Sequence, residues 1–355
     1  MILKEKEVEV IIMSRVRFKD YLNDYLECYH ITNKEFASRL GISQKHLIDI
    51  LSGKQGLSAD VIERISGVTN ISVEYIYKME ANSFLEDDID NYLKVHGLTE
   101  SEYLQKFNYK YLIKNNYIDF TDTESKIDII KDILHFLRVP TIEQVSKIDK
   151  EADFKSKNDK PELLLLWLEK CYRKMLNEKV LEYKKENVNV LVNYILDSAK
   201  KNKFDEEELI RVFNENGVYL VIEDDIPGSK IRGAFKVHRD VPAIYLTRKY
   251  KRIADVYFAL LHEIAHLKSD FNMAKARSFV AYEDEVEDKA DKIAYNWMVN
   301  DEYYNKVCKK NNYNIVDEEK FPKCFVVYRL AKDGIISYKS KVYQKYNFLL
   351  EKNSI

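Results

Sequence analysis

The sequence predicts an α+β fold that is mostly helical. It has an N-terminal all-α domain, a helical middle region, and a C-terminal domain in which a small sheet lies against a long apolar helix. Three observations carry this. Apolar residues recur at helical spacing through most of the first 204 residues. Three β-rich apolar runs are confined to residues 217–247. One further apolar run, Tyr257–Leu261, leads into His262-Glu263-Ile264-Ala265-His266. At 355 residues the chain is long for one domain. The expected divisions are a leader at 1–16, a helix-turn-helix domain at 17–80, a helical connecting region at 81–204 and a C-terminal domain at 205–355.

The leader, MILKEKEVEVIIM, carries acids and no adequate apolar core, so a secretory signal is not expected; it reads as an accessory strand, with Met13 as an alternative start to Met1. Residues 31–54 then read as helix-turn-helix. Phe36, Ala37 and Leu40 form the inner face of a first helix, and Gly41 supplies the turn. Ser43 caps a second helix buried through Leu47, Ile50 and Leu51, and Gly53 ends it. This run closely resembles the XRE (Cro-type) DNA-binding domain in the version found in HigA-like antitoxins, in which a further helix such as Ser58–Val68 follows. The resemblance implies that Ser43, Gln44, Lys45 and His46 face the major groove and that Lys54 meets a phosphate. Charge sets a limit on that expectation. Residues 1–80 hold 11 Lys and Arg against 12 Asp and Glu, a net charge of −1, whereas 31–54 hold 4 basic against 2 acidic residues. The DNA contact is therefore expected to be local, with a homodimer or a partner assisting.

The middle region is rich in Lys, Tyr, Leu and Asp. Thr121 and Glu124 read as a capping box before a helix over 122–138, which Pro140 stops. No repeat and no chemistry is visible there.

In the C-terminal domain, Gly217–Ile222, Ile231–Phe235 and Pro242–Thr247 read as strands joined by turns at Pro227-Gly228 and near Asp240. The last, 242–247, is expected at the sheet edge, where it could hold an extended peptide. The HEIAH segment follows on a helix. Two histidines four apart share one helical face, so both imidazoles reach one metal while Glu263 leans over the same site. A random sequence with 7 His and this Glu content would contain HExxH only about 1% of the time. The residues therefore point to a metal-dependent hydrolase before any relative is considered.

Catalytic zinc usually takes three protein ligands. The HExxHxxGxxH continuation fails, because Ser269 and Asn272 occupy its two decisive positions, with Asp270 between them. Residues 283–297 read instead as a helix with Val286, Ala290, Ile293 and Trp297 as its apolar stripe. Glu287 and Asp291 flank that stripe, suiting a Glu that ligates the metal and an Asp that hydrogen-bonds the far nitrogen of a ligating histidine. Glu283 is the reserve ligand, and Glu285 lies on the polar side with Asp288, Lys292 and Asn296.

HEIAH at 262–266 followed by Glu287-xx-Ala290-Asp291-xx-Ala294 resembles the ImmA/IrrE family of metallo-endopeptidases. Ile293 stands where that family usually has Phe. The three strand segments and Phe325–Leu330 resemble family segments in the same order, so the likeness spans roughly residues 205–340. It implies a zincin-like domain, zinc (or manganese) as cofactor, and cleavage of a regulatory protein such as a repressor. An antitoxin-like transcription factor whose protease fold is inactive and binds a partner protein, such as a toxin, is the alternative.

In such a site zinc lowers the pKa of water to about 7 and polarises the scissile carbonyl. Glu263 takes the water proton and passes it to the leaving amine. His238, Tyr282, Tyr328 and Arg329 are open candidates for the oxyanion donor.

Composition narrows the setting. Net charge is −2 with pI near 6.4, which argues against a generally nucleic-acid-coated or membrane-surface protein. No stretch reaches the ~20 apolar residues of a membrane span. Cys28, Cys171, Cys308 and Cys324 lack CxxC spacing, which reads as reduced thiols in a cytoplasm.

Overall fold

A computed structural model describes residues 17–118, 125–145, 160–276, 284–310 and 321–350. The leader, the Thr121 and Glu124 capping box, Tyr282 and Glu283 lie outside the described residues. The chain divides into two compact units, Met1–Gln105 with Asn116–Glu143, and Lys106–Asn115 with Gln144–Ile355. The described residues of 81–204 fall partly in one unit and partly in the other.

The first unit begins with α1 (Phe18–Cys28), α2 (Asn33–Leu40), α3 (Gln44–Leu51), α4 (Ala59–Thr69) and the long α5 (Val73–His96). Each of α2 to α5 starts at a Ser or Thr whose side-chain oxygen accepts a backbone N–H three residues on: Thr32, Ser43, Ser58 and Ser72. Phe18, Leu22, Phe36, Leu40, Leu47, Ile50, Ile62 and Ile65 meet in one core, joined by Ile76 and Met79 from the start of α5. Because α5 runs on unbroken to His96, the expected boundary at residue 80 falls inside a helix. The short α6 (Glu100–Lys106) follows, then α7 (Tyr109–Lys114), which belongs to the second unit, and α8 (Lys126–Leu137), which belongs to the first. Lys131 of α8 reaches Glu86 of α5 at 2.6 Å. The capping box of α8 is Ser125 with Asp128, and the helix ends at Arg138, which takes φ 57°. It stops there because the residue before Pro140 is pushed away from helical geometry.

The second unit carries α9 (Pro161–Met175), α10 (Asn187–Lys200), α11 (Glu206–Glu215), β1 (Tyr219–Glu223), β2 (Gly233–His238), β3 (Val241–Thr247), α12 (Ile253–Ser269), α13 (Phe271–Ala276), α14 (Asp284–Met298), α15 (Asp301–Lys310), α16 (Lys323–Lys332) and α17 (Lys341–Tyr346). The strand order is β1-β3-β2, with β1 parallel and β2 antiparallel to β3. The expectation that 242–247 forms an edge is corrected: β3 is central, and its residues 242–247 are all buried, as a strand covered on both faces requires. Alternation along the strands gives the sheet two apolar faces. Leu220, Ile222, Phe235, Val237, Ile244 and Leu246 share a core with residues of α10, α11 and α12. On the opposite face, Tyr245 meets Trp167 of α9 edge-on at 6.4 Å.

α12 is anchored from a distance. Its N-cap, Arg252, makes no side-chain cap bond. Oδ1 of Asn347 instead accepts the Ala254 N–H at 3.0 Å, and Phe348 carbonyl accepts the Ile253 N–H at 3.0 Å. Asn347 is fully buried.

Candidate metal centre and helix-turn-helix surface

Along α12, residues 258, 262 and 266 recur every four positions, so Phe258, His262 and His266 lie along one side of the helix. α14 packs against that helix through Ala290, Ala294 and Met298. This corrects the expected stripe, in which Val286, Ile293 and Trp297 stood beside Ala290; those three are only half-buried. Small alanines are selected at the contact because they let the helices approach closely. Glu287 and Asp291 sit on the same side as Ala290 and Ala294, so the close approach carries both acids to His262.

The resulting geometry is tight. Nε2 of His262 lies 3.1 Å from Nε2 of His266 and 3.1 Å from Oε2 of Glu287, and Nε2 of His266 lies 3.6 Å from Oε1 of Glu287. Behind the rings, Nδ1 of His262 faces Oδ1 of Asp291 at 2.8 Å, and Nδ1 of His266 faces Oδ2 of Asp270 at 2.9 Å. A carboxylate only accepts, so each Nδ1 is assigned the ring proton. With an ion bound, the two Nε2 lone pairs and the Glu287 carboxylate would converge on it; without one, the same rule puts a second proton on His262, donated from Nε2 to Glu287. Donor atoms about 2.0–2.1 Å from a tetrahedral zinc stand about 3.3 Å apart, and the three separations bracket that value. His262, His266 and Glu287 thus fit a divalent ion, with Asp291 and Asp270 fixing the ring tautomers.

The place of Asp270 behind His266 was not among the expectations. The signal was its position four residues beyond His266, where the chain leaves the helix and the acid can fold back on the ring. Glu263 is buried at 7% exposure. Burial pushes its carboxyl up to about 8, with His262 opposing and Glu287 adding to the rise. Burial also pulls His266 down, helped by the charge of His262. For His262, burial is outweighed by Asp291 and Glu287, which hold it well above the usual range. Without an ion, then, the two rings do not both carry charge.

Among the oxyanion candidates, His238 lies with Tyr245 on the sheet face turned away from Gly233, with Nε2 2.7 Å from the Tyr245 hydroxyl. Arg329 is committed to the Val299 carbonyl and Asp301, both at 2.6 Å. Tyr328 stands beside Phe258, ring centroids 5.3 Å apart, and Phe258 lies 6.2 Å from His262. Of the three described candidates, Tyr328 is linked to His262 through the Phe258 ring.

In the first unit, the Ser43 hydroxyl accepts the His46 N–H at 3.1 Å and fixes the start of α3. Ser43, Gln44, Lys45 and Lys54 are exposed and His46 is half-exposed. The turn between α2 and α3 places Gly41 at φ 67°, and Arg64 of α4 donates to the Leu40 carbonyl at 3.0 Å, holding the end of α2. Ile48, one turn beyond Gln44, is 44% exposed on the same helix. Its exposure was not foreseen, because an isoleucine in such a run reads as core.

The helix-turn-helix family model matches residues 26–76, which supports a DNA-binding regulator. No curated protein and no solved structure matches the chain. All four cysteines are free. Among the described residues, no helix is long and apolar enough to cross a membrane.

Proposed function

We propose that this chain is a cytoplasmic transcriptional regulator whose second unit is a zinc-dependent endopeptidase of zincin-like fold, cutting a regulatory protein such as a repressor. One observation carries the reading: two histidines and a glutamate converge at ligand spacing beside a buried glutamate, each histidine backed by its own carboxylate. A purely structural metal site has no use for Glu263.

Zinc, or manganese in its place, would make a water acidic near neutral pH and polarise a peptide carbonyl. Everything else falls to the chain. His262, His266 and Glu287 hold the ion. Asp291 and Asp270 keep the two Nε2 lone pairs aimed at it. Glu263 takes a proton from the attacking water and returns it to the leaving nitrogen, a role open to a carboxyl beside the three proposed ligands.

The sheet supports a polypeptide as substrate. The Arg232 carbonyl accepts the Thr247 N–H at 3.0 Å, so by antiparallel alternation Ala234, Lys236 and His238 also bond toward β3, and Gly233, Phe235 and Val237 direct their N–H and C=O groups away from it. Among the described residues no strand pairs with that edge. An extended segment added there would pass beside Glu263, which touches Gly233.

By this reading Gln44, Lys45 and His46 read base edges of an operator, with Ser43 and Lys54 contacting the backbone. Ile48 adds an apolar contact for a thymine methyl group. The modest charge of the domain favours a homodimer on DNA, and a toxin is a further candidate partner. The test is to express the parent and Glu263→Gln chains from the native promoter and follow both promoter output and the proteins cleaved. A regulatory effect lost in Glu263→Gln, with DNA binding intact, supports the protease. Equal regulation by both chains removes it, leaving a helix-turn-helix regulator whose second unit binds a partner protein.

A further inference from the structure

Gly233 opens β2 at the point where the sheet meets α12. A Cβ built on it would stand 2.6 Å from Oε1 of Glu263, 3.3 Å from its Cδ, and 3.3 Å from the carbonyl oxygen of Tyr245. Conformational freedom does not explain this glycine, since its φ lies outside the left-handed region and β2 would accept an alanine. Space does explain it. Atoms in ordinary contact stand about 3.5–4.0 Å apart, so a methyl group here would have to displace its neighbour by roughly 1 Å. The Tyr245 carbonyl belongs to the central strand and is held between β1 and β2. The Glu263 carboxyl is the end of a side chain and is the group that can yield.

Resting on the endopeptidase reading above, we infer that Gly233 is a positioning residue for Glu263: the missing side chain gives the general base the place beside the edge strand from which it reaches the attacking water. A shift of about 1 Å in such a group costs on the order of 100-fold in rate. The proposed metal ligands stand on α12 and α14, and none of them is among the three atoms nearest to that Cβ, so the effect falls first on the base.

The test uses the full chain loaded with Co²⁺ in place of zinc and reads the visible absorption band, which responds to what surrounds the ion. In Gly233→Ala, cobalt affinity is expected to stay at the parent value, without the roughly 10–100-fold loss that follows removal of a ligand's own support, while the band shifts. Glu263→Ala is also expected to shift it. The double variant should show no shift beyond Glu263→Ala alone, because the methyl group acts through the end of the Glu263 side chain, which that variant lacks. A Gly233→Ala spectrum superimposable on the parent overturns the inference, as does a full additive shift in the double variant.

Should Gly233→Ala fail to fold, the comparison moves to Glu263→Asp, whose carboxyl is withdrawn by one bond of about 1.5 Å. Folding and an unshifted band in Gly233→Ala/Glu263→Asp relative to Glu263→Asp support the inference, and a double variant that also fails to fold overturns it. A parent that binds no cobalt sinks the metal reading itself, and the inference falls with it; that outcome is distinct from a cobalt-loaded parent matched by Gly233→Ala.

Discussion

Asp270 accepts a hydrogen bond from Nδ1 of His266 at 2.9 Å, just beyond the helix that carries the histidine. The Asp270 side chain is 9% exposed and the His266 side chain 1%, so water offers the ring nitrogen little substitute. Replacing Asp270 by Ala frees the ring to turn and to change tautomer. Zinc affinity, measured by competition against a chromophoric chelator, should fall roughly 10–100-fold. Asp291→Ala should act alike through His262, whereas Asp288→Ala, on the exposed side of α14, should leave affinity unchanged. Equal affinities across all three variants would remove both acids from the account.

The DNA-reading surface makes a separate prediction. Replacing Gln44, Lys45 and His46 together by Ala should abolish protection of the chain's own promoter DNA in footprinting, with the denaturation midpoint unchanged because the side chains of Gln44 and Lys45 are exposed and that of His46 half-exposed. Lys54→Ala should weaken binding on all sequences alike and lower the salt dependence by about one unit of slope. Protection that persists in the triple variant would move the reading surface elsewhere.

Asn347 is expected to matter for stability far from its place in the sequence. Its side chain accepts the Ala254 N–H and donates to the Tyr343 hydroxyl at 2.8 Å, all within a fully buried setting. Asn347→Ala leaves the buried Ala254 N–H without its acceptor and should cost about 1–3 kcal/mol in urea unfolding. A variant as stable as the parent would show that α12 needs no such acceptor.

Acid sensitivity should trace in part to Glu223. Burial alone would raise its carboxyl, but the Asp224 amide, Lys170 and Lys174 outweigh burial and hold it below the ordinary value. Lys170 lies 3.1 Å and Lys174 3.4 Å from it. Since the folded form binds the proton less readily than the unfolded one, the stabilisation is fully present above the unfolded pKa of about 4.3 and is lost as pH falls through the folded value. The stability gap between parent and Glu223→Gln, followed by urea unfolding from pH 7 to pH 3, should therefore narrow below about pH 4. A gap independent of pH would contradict this.

Local chemistry was legible in the sequence where it depends on helical period. The spacing of His262 and His266 places both on one side of α12 whatever surrounds it, and Glu287 with Asp291 repeats that spacing on α14. Ser43 as the cap of α3 and Gly41 as the turn were legible for the same reason, since each answers a requirement of its neighbours. Long-range relations were less so. The central place of β3 comes from a parallel pairing with β1 that skips β2, and strand order is not written in strand composition, although the burial of 242–247 on both faces is its trace. The contact face of α14 differs from the expected one by a single position, about 100° around the helix, with Ala294 and Met298 buried in place of Ile293 and Trp297. Asn347 and Gly233 gave no signal at all, because each acts on a partner thirty or more residues away.

Metal content by elemental analysis is the most direct test of the central claim, taken on the purified parent, His262→Ala, Glu287→Ala and Glu263→Gln chains. About one zinc or manganese per parent chain is expected, lost in His262→Ala and Glu287→Ala and retained in Glu263→Gln. A parent free of metal under replete conditions, or metal retained when His262 and Glu287 are replaced, would contradict it.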